Sequence, residues 1–404
     1  CLLSLLSFGP LVAAQCRVLN TECTRLLFTS HSLRPHLRLQ RQYHLLGNGL
    51  FCSRLSHALF DPDLDSAERR SGVALSGGAM GLRLSGRDTW PPASSELRLA
   101  LMGVLAESYE GGEGRGRAGS GRRDGGGEGE LPAGMDISFA VRDLAPEEIE
   151  RCVDPDGLEA LDFLRLSYKP PSALLPVFTP VVLVKYDRVF RLLLRVLRML
   201  YVVNRLFRDV VLFCDGGEGV EMRLRFRAEA HHFVSRLGAY LFDTGVGGPW
   251  ARFEEWLDGV EGELGGGEKG MGMGAAGYGG PDRIRERHEQ TLDEIMSALL
   301  LRRRQRPVMG LVEEVFACIL GFAKVLRSPG AGGNEEIRRL YATFRKKVEV
   351  FITVCRGLSE QGGNHGGGRR AEDVSAKGRP DDENSIVRLL LLLDTGGHLA
   401  RKSN

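Results

Sequence analysis

Apolar residues recur at helical spacing through most of the chain. Residues 15–30 place Leu19, Cys23, Leu26 and Leu27 on one face, and residues 36–60 repeat the pattern through Leu39, Leu45, Leu46, Phe51, Leu55 and Leu59, with Asp61-Pro62 as a stop. A short amphipathic helix is predicted over 95–109. Another begins at Pro146-Glu147-Glu148, where proline fits the first turn and the acids face the positive end of the helix dipole. Further helices are predicted over 181–213, 221–243, 249–260, 281–304, 307–327 and 334–359. Period-2 alternation is confined to 135–142 (MDISFAVR) and 161–168 (LDFLRLSY). The fold class read from this pattern is all-α, a multi-helix bundle with room for one small strand pair.

Glycine-rich tracts punctuate the helices at 111–134, 262–281 and 361–384, and shorter breaks fall at 215–219, 245–249 and 328–333. The first two tracts hold 21 of the 53 glycines, so outside them the composition is ordinary. Glycine loses the most backbone entropy on ordering, and these tracts are read as flexible inserts between helices. Residues 1–14 (CLLSLLSFGPLVAA) resemble the apolar core of a signal peptide but lack a starting methionine and a basic leader. They are read as the truncated remnant of an upstream helix. No run reaches the 18 or more apolar residues of a membrane span; 171–184 is apolar but broken by prolines.

Charge and chemistry change this picture little. With 404 residues, 43% hydrophobic and 26% charged, the chain has ample material for a core, and its net charge of +2 argues against a dedicated nucleic-acid binder. Lysine is scarce among the 54 basic residues; arginine dominates, as expected of a GC-rich genome. The eight cysteines are scattered with no CxxC, and no N-x-S/T acceptor occurs, which fits a reducing compartment. Two GxGxxG matches, Gly272-x-Gly274-x-x-Gly277 and Gly114-x-Gly116-x-x-Gly119, lie inside glycine tracts with no strand before them, so they are not dinucleotide fingerprints. No P-loop, HExxH or GxSxG is present, and His231-His232, being neighbours about 100° apart on a helix, cannot share a metal. The reading is a non-enzyme with no cofactor and no metal.

One segment stands apart. In 185–213 (KYDRVFRLLLRVLRMLYVVNRLFRDVVLF) arginines fall at 188, 191, 195, 198, 205 and 208, a single stripe on a helix that is otherwise apolar around most of its girth. Such a helix is a central core helix, and its stripe faces either solvent or an acidic partner. A solvated face normally mixes signs, whereas these six share one. Tyr186, Arg188, Arg191, Arg195 and Arg198 are the candidate partner contacts. If they are, charge reversal at Arg191 and Arg195 lowers partner capture while leaving the fold intact.

The order of segments resembles the C-terminal half of the gamma-tubulin complex component family. Tyr43-His44-Leu45-Leu46-Gly47-Asn48-Gly49-Leu50-Phe51 is similar to that family's turn between two helices, with Leu50 in place of its usual acid. Leu97–Tyr109 is similar to the short helix that follows. Leu158–Tyr168 leading into Lys169-Pro170-Pro171 resembles the approach to the family's longest helix, and Lys185–Leu206 that helix itself. Arg225–Phe242, Trp250–Leu257, Arg287–Ile295 and Arg338–Phe351 resemble the helices after it. At the end, Leu389–Asp394 matches the family's pattern, but Thr395-Gly396-Gly397-His398 departs from it. The resemblance implies that 15–400 is a helical gamma-tubulin-binding domain. It implies a scaffold subunit with gamma-tubulin and other complex components as partners, in the cytoplasm and cytoskeleton at microtubule-organising centres and spindle poles. Its role would be to arrange gamma-tubulins so that they template microtubule nucleation. Two other readings share the composition: a helical adaptor that does not bind tubulin, and an RNA-associated protein using the Arg-Gly tract at 111–134, where four acids and the lack of aromatics weigh against nucleic acid.

Overall fold

A computed structural model describes residues 2–61, 64, 81–84, 90–109, 136–212, 219–265, 280–327, 333–363 and 387–393. The expected tract 111–134 lies outside these residues, as do most of 262–281 and 361–384. The described chain is mostly helical, as the spacing predicts, with one antiparallel strand pair and connecting turns and loops. Helix α1 (Leu2–Thr29) crosses position 14 without a break. Helices α2 (Leu33–Tyr43) and α3 (Gly49–Phe60) divide the apolar run expected over 36–60. The division has a local cause. Leu46 adopts a left-handed φ of 49°, and Asn48 restarts the helix by accepting the Phe51 amide at 3.0 Å on its side-chain oxygen. The same side chain donates to the Ser108 carbonyl at 2.7 Å, so this cap also ties α3 to a turn 60 residues further along the chain. Replacing Asn48 with alanine is expected to cost about 1–2 kcal/mol, measured by urea unfolding of the whole chain.

The helix expected over 95–109 also splits, into α4 (Ser94–Leu101) and α5 (Val104–Glu107), because Gly103 sits at φ 81° between them. Strands β1 (Asp136–Val141) and β2 (Leu164–Lys169) pair antiparallel, with Ile137 opposite Tyr168 and Phe139 opposite Leu166. This is the strand pair the alternation pointed to. Between them lies α6 (Pro146–Cys152), opened by its proline.

Helix α7 (Pro180–Leu212) is 33 residues long and occupies the centre. Thr179 caps it, its hydroxyl accepting the Val182 amide at 3.3 Å. Val182, Tyr186, Val189, Phe190, Leu193, Met199 and Val203 are fully enclosed, which is why the helix is apolar around its girth. Each such burial contributes about 1.5–3 kcal/mol. Around α7 pack α3, β2, α8 (Val220–Ala239), α10 (Pro281–Ala298) and α11 (Arg306–Arg327). Helix α12 (Gly333–Gly363) lies along α11, and its Phe344 meets Phe226 of α8 at 5.0 Å between ring centroids; Phe226 in turn stacks on Phe322 of α11 at 4.2 Å. Residues 387–393 add a last short helix.

The break expected at 245–249 is filled instead. A π-helical stretch, Tyr240–Gly247, carries α8 directly into α9 (Gly248–Gly265). Gly245 explains how the wide turn packs: a Cβ there would come within 3.0 Å of a Leu299 methyl.

Candidate functional site

The arginine stripe of α7 lies on the side facing α6, the loop before β2, and the corner between α10 and α11. Its centre is Asp162, 2% exposed, in the turn that leads into β2. Arg195 donates through Nε to Asp162 Oδ1 at 2.9 Å and through a second guanidinium nitrogen to Oδ2, a two-pronged contact. Arg191 reaches the same Oδ2 at 2.5 Å and spreads to Glu148 of α6 at 3.3 Å. On its other side Arg195 bonds Glu313 of α11 at 2.7 Å. Burial pushes the Asp162 carboxyl up, but the hydrogen bonds and charges of Arg195 and Arg191 outweigh it and hold the group below the usual carboxylate range.

Arg198, 3% exposed, donates to the carbonyls of Pro155 at 2.7 Å and Gly157. Burial brings its guanidinium down to about 10, so it remains charged at neutral pH. Arg188, one turn before Arg191, is exposed and donates to the Leu301 carbonyl at 3.0 Å. Tyr186 is enclosed on the opposite side of the helix, where its hydroxyl meets His288 Nε2 at 2.7 Å.

The five residues singled out from the sequence therefore divide. Arg191, Arg195 and Arg198 are brought together, but mostly against this chain's own acids and carbonyls. Tyr186 belongs to a buried histidine–tyrosine cluster, and Arg188 alone of the five is exposed. The one-sign stripe has its acidic partner, and that partner is Asp162, Glu148 and Glu313 of the same chain. Charge reversal at Arg191 and Arg195 would set like charges against Asp162 and Glu313, so it is expected to lower the melting temperature as well as any partner capture.

Spacing on α7 could not reveal these acids, which lie 29, 43 and 118 residues away along the chain. A second feature also went unread: the run Arg302-Arg303-Arg304-Gln305-Arg306 at the corner between α10 and α11, four arginines without an acid. Counting like charges in a five-residue window would have found it. Together the corner, the stripe and α6 enclose a cleft of about 880 Å³.

Among the described residues no group of three histidine, cysteine or acidic side chains is arranged to hold a metal ion, and no helix is long and apolar enough to cross a membrane. The polar chemistry that is present clamps helices together. Fold and site thus define a helical-bundle domain organised around one central helix, with a charged clamp on its flank. The family described as Gamma tubulin complex component C-terminal matches residues 33–398, and the chain belongs to that family. Gamma-tubulin complex component 6 of Mus musculus is 26% identical over 250 residues, covering 58% of this chain and 13% of that protein. Gamma-tubulin complex component 6 of Homo sapiens is 23% identical over 367 residues, covering 87% of this chain and 17% of that protein. The chain spans less than a fifth of the length of either relative.

Proposed function

We propose that this chain acts as a non-catalytic scaffold of the gamma-tubulin complex, with 15–400 as its gamma-tubulin-binding domain. The observation that carries the reading is the family match across 33–398. Gamma-tubulin and other complex components are the partners, and the site of action is the cytoskeleton at microtubule-organising centres and spindle poles. A rigid bundle suits this role. Holding several gamma-tubulins at fixed spacing removes much of the entropic cost of assembling the first layer of a microtubule. Any nucleotide belongs to the bound tubulin.

On the α7 flank, Arg188 and the outer edge of Arg191 are the contacts proposed for the partner, while Tyr186, Arg195 and Arg198 position the helix. The whole chain is expected to capture purified gamma-tubulin saturably at one to one, more weakly at higher salt. Arg188→Glu should weaken capture roughly three- to tenfold, acting mainly on association, with helicity and melting unchanged. A folded chain that captures no gamma-tubulin would sink the reading. Normal capture by Arg188→Glu would remove only the flank from it.

A further inference from the structure

The cleft beside the arginine stripe has a floor and a rim of different chemistry. Leu192, Met296, Leu300 and Met309 line it from α7, α10, the corner and α11, each largely buried. Its rim carries Arg188, Arg303 and Arg306. Arg303 and Arg306 are exposed, and neither has a carboxylate partner among the described residues. The corner that presents them is strained: Leu300, only 3% exposed, is held at φ 58°, a left-handed conformation that a bulky side chain rarely adopts. This turn follows the end of α10, and Arg302, Arg303 and Arg306 beyond it line the cleft.

We propose that this cleft is a docking site for an acidic peptide segment of a partner protein, one in which carboxylates alternate with apolar side chains. The rim arginines take the carboxylates and the leucine–methionine floor takes the apolar side chains. The volume, about 880 Å³, suits a short peptide stretch. Two features of the cleft disfavour a nucleic acid. Glu148, Glu159 and Glu313 also line it, which a continuous phosphate backbone would have to pass. Among the described residues no aromatic side chain lines it for bases to stack on. A peptide can place its charges to reach the rim and miss these acids. Arg188 and Arg191, proposed above as gamma-tubulin contacts, also line the cleft, but the inference rests on the cleft's own lining and does not depend on which partner supplies the segment.

The test uses the whole chain and a fluorescein-labelled dodecapeptide of repeating Glu-Glu-Leu, followed by fluorescence anisotropy at 50 and 300 mM salt. Saturable binding is expected, weaker at the higher salt, with no binding of the matching Lys-Lys-Leu peptide. R303E/R306E should weaken binding about tenfold or more, while the charge-matched R338E/R339E on α12 stays within twofold. Circular dichroism checks folding, and R303Q/R306Q replaces the reversal if that variant loses helix. Absence of saturable binding, or equal loss in both double variants, overturns the proposal. So does tighter binding of a twelve-residue oligothymidylate that R303E/R306E abolishes, which would make the cleft a nucleic-acid surface.

Discussion

Acidification from pH 7 to pH 4 is expected to destabilise the folded chain by about 6 kcal/mol, roughly 3 from each of two enclosed histidines. His44 is 2% exposed, beside Tyr186 with ring centroids 5.5 Å apart and near the Leu166 carbonyl at 3.4 Å. His288 is fully enclosed between the Tyr186 hydroxyl, the Val177 carbonyl at 3.4 Å and the stacked ring of Phe253 at 5.5 Å. Burial brings both down to about 4. In the unfolded chain the same rings take up a proton near pH 6.5. Between these values the unfolded state binds more protons than the folded one, so stability rises with pH across the window. It is fully present above about 6.5 and is lost as the pH falls toward 4. Urea unfolding at half-unit pH steps measures the slope. His44→Phe, which keeps a ring against Tyr186 and Phe190, should remove about half of it. A flat profile between pH 6.5 and 4 would show that these rings titrate normally.

Asp162→Asn should cost about 3–5 kcal/mol, because it leaves Arg191 and Arg195 without the charge at the centre of their network while both remain largely covered. The loss is readable as a lower urea midpoint with the slope unchanged. An exposed ion pair gives the contrast: Arg225→Ala breaks the Arg225–Glu221 contact on α8, whose side chains are 65% and 80% exposed, and should change stability by no more than about 0.5 kcal/mol. Equal effects from the two substitutions would show that solvent screens the Asp162 network as it does the surface pair. The acid window also differs from that of the histidines. Asp162 titrates below the ordinary carboxylate range, so its contribution persists until the pH has fallen below that of His44 and His288.

The elements that were legible in the sequence are those set by local pattern. Helix α7 announces itself because so little of its circumference is polar, and the β1–β2 pair because 135–142 alternates. The errors fall where one backbone conformation overrides a continuous apolar run. Leu46 and Gly103, both at positive φ, divide helices that periodicity joins, and the π-helical stretch at Tyr240–Gly247 joins two that glycines seemed to separate. The site was half legible. Six arginines of one sign demanded an acidic counterpart, but Asp162 and Glu313 are brought to the stripe only by tertiary packing. Periodicity on α7 carries no information about them. His36 and His288 show the same limit: each bonds a tyrosine at 2.7 Å more than 100 residues away along the chain.

The Asp162 cluster can also be viewed as a cross-link. Through Arg195 it closes one loop of 33 residues back to Asp162 and another of 118 residues forward to Glu313, pinning α7, the approach to β2 and α11 at one point. A disulfide or a structural metal fastens distant segments of smaller domains in the same way. This fastening is made of ion pairs and hydrogen bonds alone, and its central tie opens with a single proton on Asp162.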